Sequence, residues 1–260
     1  MFRIAAFSTS ALALSVAAAA AATGVGLTDD RTLVMFDTET LEVTGTMDVE
    51  GVDRLLGIDL RPADNTLVGV TDDMRIVTID PATGAATDLS TMDTALELGD
   101  TAVIVDFNPM ADRLRLMTGT TNHRVNVDTG EVTVDGSLNW VPEDENAEAA
   151  PMIAAAAYIN SYGTPEATAM YNIDGGLGAL LQQTAPNDGT LATIGMLNVE
   201  GATEPMAFDV QTDAEGSNMA WLIANNVIHS VDLDTGAATA AGAITGVEGQ
   251  IRDLTVMPAM

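Results

Sequence analysis

Cysteine and lysine are both absent from the 260-residue chain. Without thiols there are no disulfides and no thiolate metal sites. Without lysine there is neither a phosphate-binding P-loop nor a Schiff-base mechanism. Positive charge is scarce: nine arginines face 38 acidic residues, for a formal net charge of −29 and a pI near 4.1. Such a surface repels phosphate backbones and anionic lipid headgroups, which makes anionic membranes poor partners and leaves no nucleic acid expected. It suits a protein kept soluble in salty water, where ions screen self-repulsion. Aromatic residues make up 4% of the chain, which counts against sugar recognition because sugar sites usually offer flat apolar faces. Helical periodicity is missing beyond the amino-terminal segment, and no serine sits in a nucleophile elbow.

The exception to that pattern is the start of the chain. Arg3 precedes an apolar run from Ile4 to Val16, and Ala17 to Ala22 offer Ala-x-Ala cleavage sites. Residues 1–22 therefore read as a signal peptide, and the apolar run is too short to span a bilayer comfortably. Residues 23–260 are expected as one domain with no membrane insertion after signal removal.

What the remainder contains is repetition. Leu56-Gly57-Ile58-Asp59-Leu60-Arg61-Pro62, Ile104-Val105-Asp106-Phe107-Asn108-Pro109, Met206-Ala207-Phe208-Asp209-Val210 and Arg252-Asp253-Leu254-Thr255-Val256-Met257-Pro258 are versions of one apolar strand. Asp59 and Asp106 are 47 residues apart, Asp209 and Thr255 46, and the 103 residues from Asp106 to Asp209 leave room for two units. The missing copy falls at Ile153 to Asn160, with Tyr158 taken as the aspartate equivalent. A period of ~45 residues with only β signals is the range of propeller blades. Each unit has a second landmark, a strand running into a turn: Asp37 to Thr40, Asp80 to Gly84, Asn126 to Gly130 and Asp232 to Gly236. There the Asp or Asn side chain can bond backbone two residues on, and glycine supplies positive φ, as in a hairpin between a blade's third and fourth strands. The last strand copy has no hairpin partners after it, so it must complete the first blade. The expected fold is an all-β, five-bladed β-propeller, closed by pairing the C-terminal strand with the N-terminal blade and with blades starting near Leu55, Ala102, Met152 and Pro205. Asn139 to Ala150 is expected as a long acidic connection.

The most distinctive stretch combines Asp106-Phe107-Asn108-Pro109, Asp112-Arg113-Leu114-Arg115, Asn122-His123-Arg124-Val125-Asn126 and Val134-Asp135-Gly136-Ser137-Leu138-Asn139. It continues through the alanine run ending Tyr158-Ile159-Asn160 to Pro186-Asn187-Asp188-Gly189-Thr190-Leu191. With these motifs in order, the chain resembles the bacterial exported family known as domain of unknown function 4394. The resemblance implies a propeller-like domain in the periplasm or secreted, and brings no established reaction.

No constellation amounts to a catalytic signature. The candidate ligand-binding residues are Asp59, Asp106, Asn108, Arg113, Arg124, Tyr158 and Asp209, with no catalytic or metal-ligating residue assigned. Asp59, Asp106 and Asp209 share one place on innermost strands that line a central channel. Three converging carboxylates would suit a glycosidase or several oxygen ligands for Ca²⁺, whereas a repeated aspartate more often bonds neighbouring backbone amides. The structural role is preferred. No cofactor is expected; Ca²⁺ has no supporting loop motif, since Glu143-Asp144-Glu145-Asn146 lacks calcium-loop spacing and reads as a solvated acidic loop. Arg113, Arg115 and Arg124 are expected to pair with carboxylates rather than to capture an anion. His123 and His229 are expected as ordinary strand residues, and Gly24-x-Gly26 lacks the third glycine of a dinucleotide fingerprint. The first functional expectation is a non-enzymatic propeller binding a small molecule or protein through its loops and channel. The alternative is a carbohydrate-active hydrolase using the channel aspartates.

Overall fold

The computed structural model describes residues 22–202 and 204–257. The signal-peptide expectation for residues 1–21 and the final Pro258 of the repeat lie outside them. In chain order the strands are β1 (Thr23–Thr28), β2 (Thr32–Asp37) and β3 (Val43–Asp48), then β4 (Leu55–Arg61), β5 (Thr66–Thr71), β6 (Arg75–Ile79) and β7 (Ala86–Thr91). There follow β8 (Val103–Asn108), β9 (Arg113–Thr118), β10 (Thr121–Val125), β11 (Val132–Val134) and β12 (Asn139–Trp140). The remainder comprises β13 (Ile153–Tyr158), β14 (Met170–Asp174), β15 (Ala179–Ala185), β16 (Thr190–Met196), β17 (Met206–Thr212), β18 (Asn218–Ala224), β19 (Val227–Val231), β20 (Ala238–Ala243) and β21 (Asp253–Met257). No helix occurs among the described residues.

Five sheets result, and they are the five blades of a β-propeller. Blades two, three and five are consecutive antiparallel meanders, while blade one has the order β21-β1-β2-β3. The last strand therefore pairs with the first, Thr23 opposite Met257 through Leu27 opposite Asp253. The innermost strands β21, β4, β8, β13 and β17 adjoin one another in a ring around the central axis.

The core is divided by the ring into five apolar layers, one between each pair of neighbouring blades. Val68 and Val70 of blade two, for example, meet Val105, Phe107, Leu114 and Leu116 of blade three. Alternation explains this packing: successive strand side chains point to opposite faces, and both faces of the inner strands are covered by a neighbouring blade. The outermost strands β3, β7, β11 and β20 are half-buried to exposed along their length, and none of their residues is fully buried.

The hairpin landmarks lie where expected. Asp37, Asp80 and Asp232 each accept two hydrogen bonds from the turn that follows, and Asn126 accepts one from Asp128 N. At Gly130, φ is +76° and an added Cβ would lie 1.9 Å from the Thr91 carbonyl oxygen, so the turn packs on blade two through bare backbone. Gly24 has a packing role: a Cβ there would come within 2.2 Å of the Phe36 ring.

Blade four departs from the sequence expectation. The acidic connection contributes a fifth strand, β12, which pairs in parallel with β16 through Asn139–Thr190 and Trp140–Leu191. Beyond it Asp144 is not a free, solvated carboxylate. It accepts from Thr193 N at 2.7 Å, from Thr193 Oγ1 at 3.0 Å and from Asn146 N at 2.9 Å, tying the loop to the outer edge of the blade. Glu143 and Glu145 stay exposed.

Deleting residues 251–260 removes the strand that closes blade one and exposes the edge of β1. The expected outcome is loss of a single cooperative thermal transition, monitored by circular dichroism. A truncated chain melting within about 5 °C of the parent contradicts closure by β21.

Candidate functional site

Along each innermost strand, one residue points across the boundary toward the next blade. Asp59 Oδ2 accepts a hydrogen bond from Phe107 N of blade three at 2.7 Å, and Asp106 Oδ1 accepts from Tyr158 N of blade four at 2.9 Å. Asp209 Oδ2 accepts from Val256 N of blade one at 2.6 Å. In blade one this place belongs to Thr255, whose hydroxyl accepts from Leu60 N at 3.2 Å and donates to Asp59 Oδ1 at 2.9 Å. The remaining amide of the set, Val210 N, is taken by Asp209 Oδ1 at 2.6 Å. Every such inner-strand amide in the ring therefore has a side-chain acceptor, as buried backbone donors require.

This register corrects one assignment. Because Asp106 reaches Tyr158 N as Asp59 reaches Phe107 N, the blade-four residue at the aspartate place is Ala157. Ala157 packs in the layer between blades four and five, whereas Tyr158 faces blade three. The poly-alanine strand offers no side chain by which the sequence could have set this register. A fourth channel carboxylate, Asp253, was hidden by the same reasoning, because it precedes Thr255 by two residues. Its Oδ2 accepts from Ile58 N of blade two at 2.7 Å and its Oδ1 from Leu254 N at 3.0 Å.

Asp59, Asp106 and Asp209 are all buried, and one potential ligand oxygen from each lies within 4.8 Å of the others. Burial pushes Asp59 and Asp106 well above the usual carboxylate range, and the nearby Asp209 charge adds to both. Burial lifts Asp209 to about 6, against the pull of the Val256 and Val210 amides. It lifts Asp253 to about 7, against the Ile58 amide and Arg252. Beside Asp59, Asp209 and Thr255 the channel leaves a cavity of about 20 Å³, room for a water molecule but not for a sugar ring.

The remaining candidates gather between blades three and four. Arg115 is 1% exposed and donates to Asn122 Oδ1 at 2.8 Å, Asp135 Oδ2 at 2.7 Å, Asn187 Oδ1 at 3.1 Å and the Tyr158 hydroxyl at 3.2 and 3.3 Å. Arg124 binds Asp135 with both ends of its fork, at 2.6 and 2.9 Å. Asn122 in turn donates to the Gly136 and Pro186 carbonyls. The two arginines pull Asp135 below its ordinary value although burial opposes them, while burial pushes the Tyr158 phenol up. Arg113 does not join them: it donates to the Ala111 and Asp112 carbonyls. Asn108 Oδ1 caps Met110 N and Ala111 N at a hairpin, and Asn108 and Tyr158 share the lining of a cleft of about 480 Å³ with Asn187 and Asp188. Sequence reasoning missed Asp135 as the shared partner, since only the fold brings it to both arginines. His123 and His229 are buried strand residues.

The fold and this site define a five-bladed propeller whose channel is tied shut by buried carboxylates. The chain belongs to the family described as domain of unknown function (DUF4394), whose model matches residues 32–255. Among solved structures it is similar to a protein of unknown function from Bacteroides thetaiotaomicron, with 14% identity over 95% of this chain and 68% of that one at a TM-score of 0.50. It is also similar to a protein of unknown function from Bacteroides caccae, with 9% identity over 88% and 75% of the two chains at a TM-score of 0.44. An auxiliary nutrient binding protein from Bacteroides ovatus matches at 14% identity over 76% of this chain and 55% of that one, with a TM-score of 0.46. No curated protein matches the chain.

Two predictions follow from these two clusters. The channel carboxylates have raised folded-state values, so folding takes up protons between the unfolded carboxylate value near 3.8 and the folded values of about 6 for Asp209 and about 7 for Asp253. Their contribution is fully present below that window and is lost as pH rises through it. Melting temperature should therefore fall between about pH 4.5 and pH 7.5, and the fall should shrink in Asp253→Asn. A steeper fall in the variant would refute the assignment. At the second cluster, Asp135→Asn leaves two guanidiniums without their shared carboxylate and should cost about 3–5 kcal/mol in urea unfolding. Asp48→Asn, at an exposed pair with Arg31 3.8 Å away, should cost below about 1 kcal/mol.

Proposed function

We propose that this chain is an exported, acidic, non-enzymatic binding module that captures a small ligand at the open end of its channel. The observation that carries the reading is the engagement of Asp59, Asp106 and Asp209 with the backbone of the neighbouring blades. A general acid or nucleophile needs access to substrate, and the cavity of about 20 Å³ beside Asp59 and Asp209 admits none. At the opposite end, where the inner strands begin, a cavity of about 320 Å³ opens among Arg54, Leu56, Leu98, Val103, Glu204 and Arg252. That volume falls in the range of small-ligand pockets.

Export rests on the signal-like segment, and placement in the periplasm or outside the cell follows from it. Ala22 is buried and its carbonyl accepts from Thr38 N at 3.1 Å and Thr38 Oγ1 at 3.0 Å, which favours cleavage before Ala22 and a mature domain that keeps it. No described helix is long and apolar enough to cross a membrane.

The discriminating experiment is a glycan and ester substrate screen run beside thermal melts of Asp59→Asn, Asp106→Asn and Asp209→Asn. The expected result is no turnover by the parent and modestly lowered stability in each variant, because asparagine keeps one acceptor oxygen where aspartate has two. Turnover by the parent that vanishes in a well-folded Asp106→Asn or Asp209→Asn protein would establish the hydrolase instead.

A further inference from the structure

The mouth of the channel has an unusual distribution of charge. Arg252 is clamped in place: its Nε donates to Asp29 O at 2.8 Å, Nη1 to Leu56 O at 3.0 Å, and Nη2 to Leu55 O at 2.6 Å and Asp30 O at 3.3 Å. A guanidinium has five N–H donors, so one, on Nη1, is left over. Among the described residues no carboxylate lies within ion-pairing distance of Arg252, although six of the other arginines have one. Arg54 lines the same cavity and sits near enough to repel Arg252. Its own ion pair, with Asp30 at 3.6 Å, is loose, and its side chain is 53% exposed.

The same cavity is lined by Asp100 and Glu204, both exposed and neither ion-paired with an arginine among the described residues. Leu56, Leu98, Val103 and Pro205 contribute apolar lining to it. Leu98 is 43% exposed, a large apolar side chain left open on an acidic surface. Two neighbouring guanidiniums favour a carboxylate, and a planar fork with a spare donor binds one well. A net anion is nevertheless opposed by Asp29, Asp30 and Asp253, which are close enough to be felt at Arg252, and by the net charge of −29. A ligand that carries its own ammonium group escapes that repulsion and gives Asp100 and Glu204 a partner.

We propose that the channel mouth binds a small zwitterion, an α-amino acid with an apolar side chain, whose carboxylate meets Arg54 and Arg252 and whose ammonium meets Glu204 and Asp100. The side chain lies against Leu56, Leu98 and Val103. Arg252 is pre-set by backbone carbonyls, so its orientation costs nothing further on binding. The inference rests on the binding-module reading above and deepens it by naming the ligand class.

The test uses the mature chain and isothermal titration with three compounds: leucine, leucinamide, which lacks the carboxylate, and N-acetyl-leucine, which lacks the ammonium. Leucine should bind with Kd below about 1 mM, and each analogue at least about tenfold more weakly. Arg54→Gln and Glu204→Gln change exposed side chains and should melt like the parent. The first should weaken leucine about tenfold while leaving leucinamide unchanged, and the second should weaken leucine about tenfold while leaving N-acetyl-leucine unchanged. Absence of leucine binding at about 10 mM overturns the inference, as does equal binding of all three compounds. If leucine fails while another small molecule binds the parent and is lost in Arg54→Gln, the zwitterion class falls and the binding-module reading stands. If the substrate screen finds turnover, that reading falls independently of the titration.

Discussion

The ring depends on hydrogen bonds from innermost-strand amides to side chains of the preceding strand, in β4, β8, β13 and β21, while in β17 Asp209 of the same strand serves Val210. Within a blade, neighbouring strands satisfy each other, but the inner edge has no further strand to pair with. Those amides face a channel too narrow for bulk water, and a buried unpaired amide costs about 1–3 kcal/mol. Asp59, Asp106, Asp209, Asp253 and Thr255 supply the missing acceptors across the blade boundaries. A carboxylate suits the task because its two oxygens can serve two amides at once, as Asp209 does for Val210 and Val256. The same groups that close the ring mechanically also fix the register between blades, since a slip by one residue would turn every aspartate away from its amide.

That solution concentrates negative charge at the axis of a chain already strongly acidic. Three carboxylates with oxygens within 4.8 Å do not all ionise together at neutral pH without strong mutual repulsion; burial raises all three, and neighbouring carboxylates add to it at Asp59 and Asp106. The opposite sign is found one layer away. Between blades three and four, Arg115 and Arg124 share Asp135, so that boundary carries an excess of positive charge wrapped in neutral acceptors from Asn122, Asn187 and Tyr158. A buried arginine is tolerable only when its donors are used, and Arg115 uses the side chains of four residues from both blades. The motifs Asn122 to Asn126, Asp135-Gly136 and Pro186 to Gly189 thus converge on one fastening point. Their spacing in the chain reflects the two blades they join, and it needs no ligand to explain it.

Much of the architecture was legible because a propeller writes its geometry as a period. Aspartate–glycine turns marked the outer hairpins, and the orphan strand at Asp253–Met257 announced the closure. What escaped was whatever the period does not encode. In Ile153–Tyr158 the side chains are alanines, so no residue distinguished Ala157 from Tyr158 as the boundary position. Asp253 escaped because Thr255 filled the repeated place and drew attention from its neighbour. The pairing of Asn139 and Trp140 with β16 is a parallel contact between distant segments, with no local pattern to reveal it. Asp135 was visible as part of a motif, but its role depends on two strands bringing Arg115 and Arg124 to it.

Closure by carboxylates also decides where a ligand can sit. A propeller with a wide channel can bind a ligand on its axis, using side chains from every blade. Here the axis is filled by groups committed to backbone amides, so any site that borrowed them would loosen the ring. Larger cavities, of about 320 and 480 Å³, open instead where the inner strands begin and in the cleft lined by Asn108, Tyr158 and Asn187. At the end where those strands begin, the ring still contributes indirectly. Arg252 immediately precedes Asp253, which bonds Ile58, and Arg252 itself grips the carbonyls of Leu55 and Leu56. The residue that offers a fixed positive charge to the mouth is therefore held by the same blade-one to blade-two junction that closes the fold. A ligand held there would bridge Arg54 and Arg252 on one side of that junction to Glu204 at the entrance of blade five. Its binding would then reinforce the ring at the place where the chain's two ends meet.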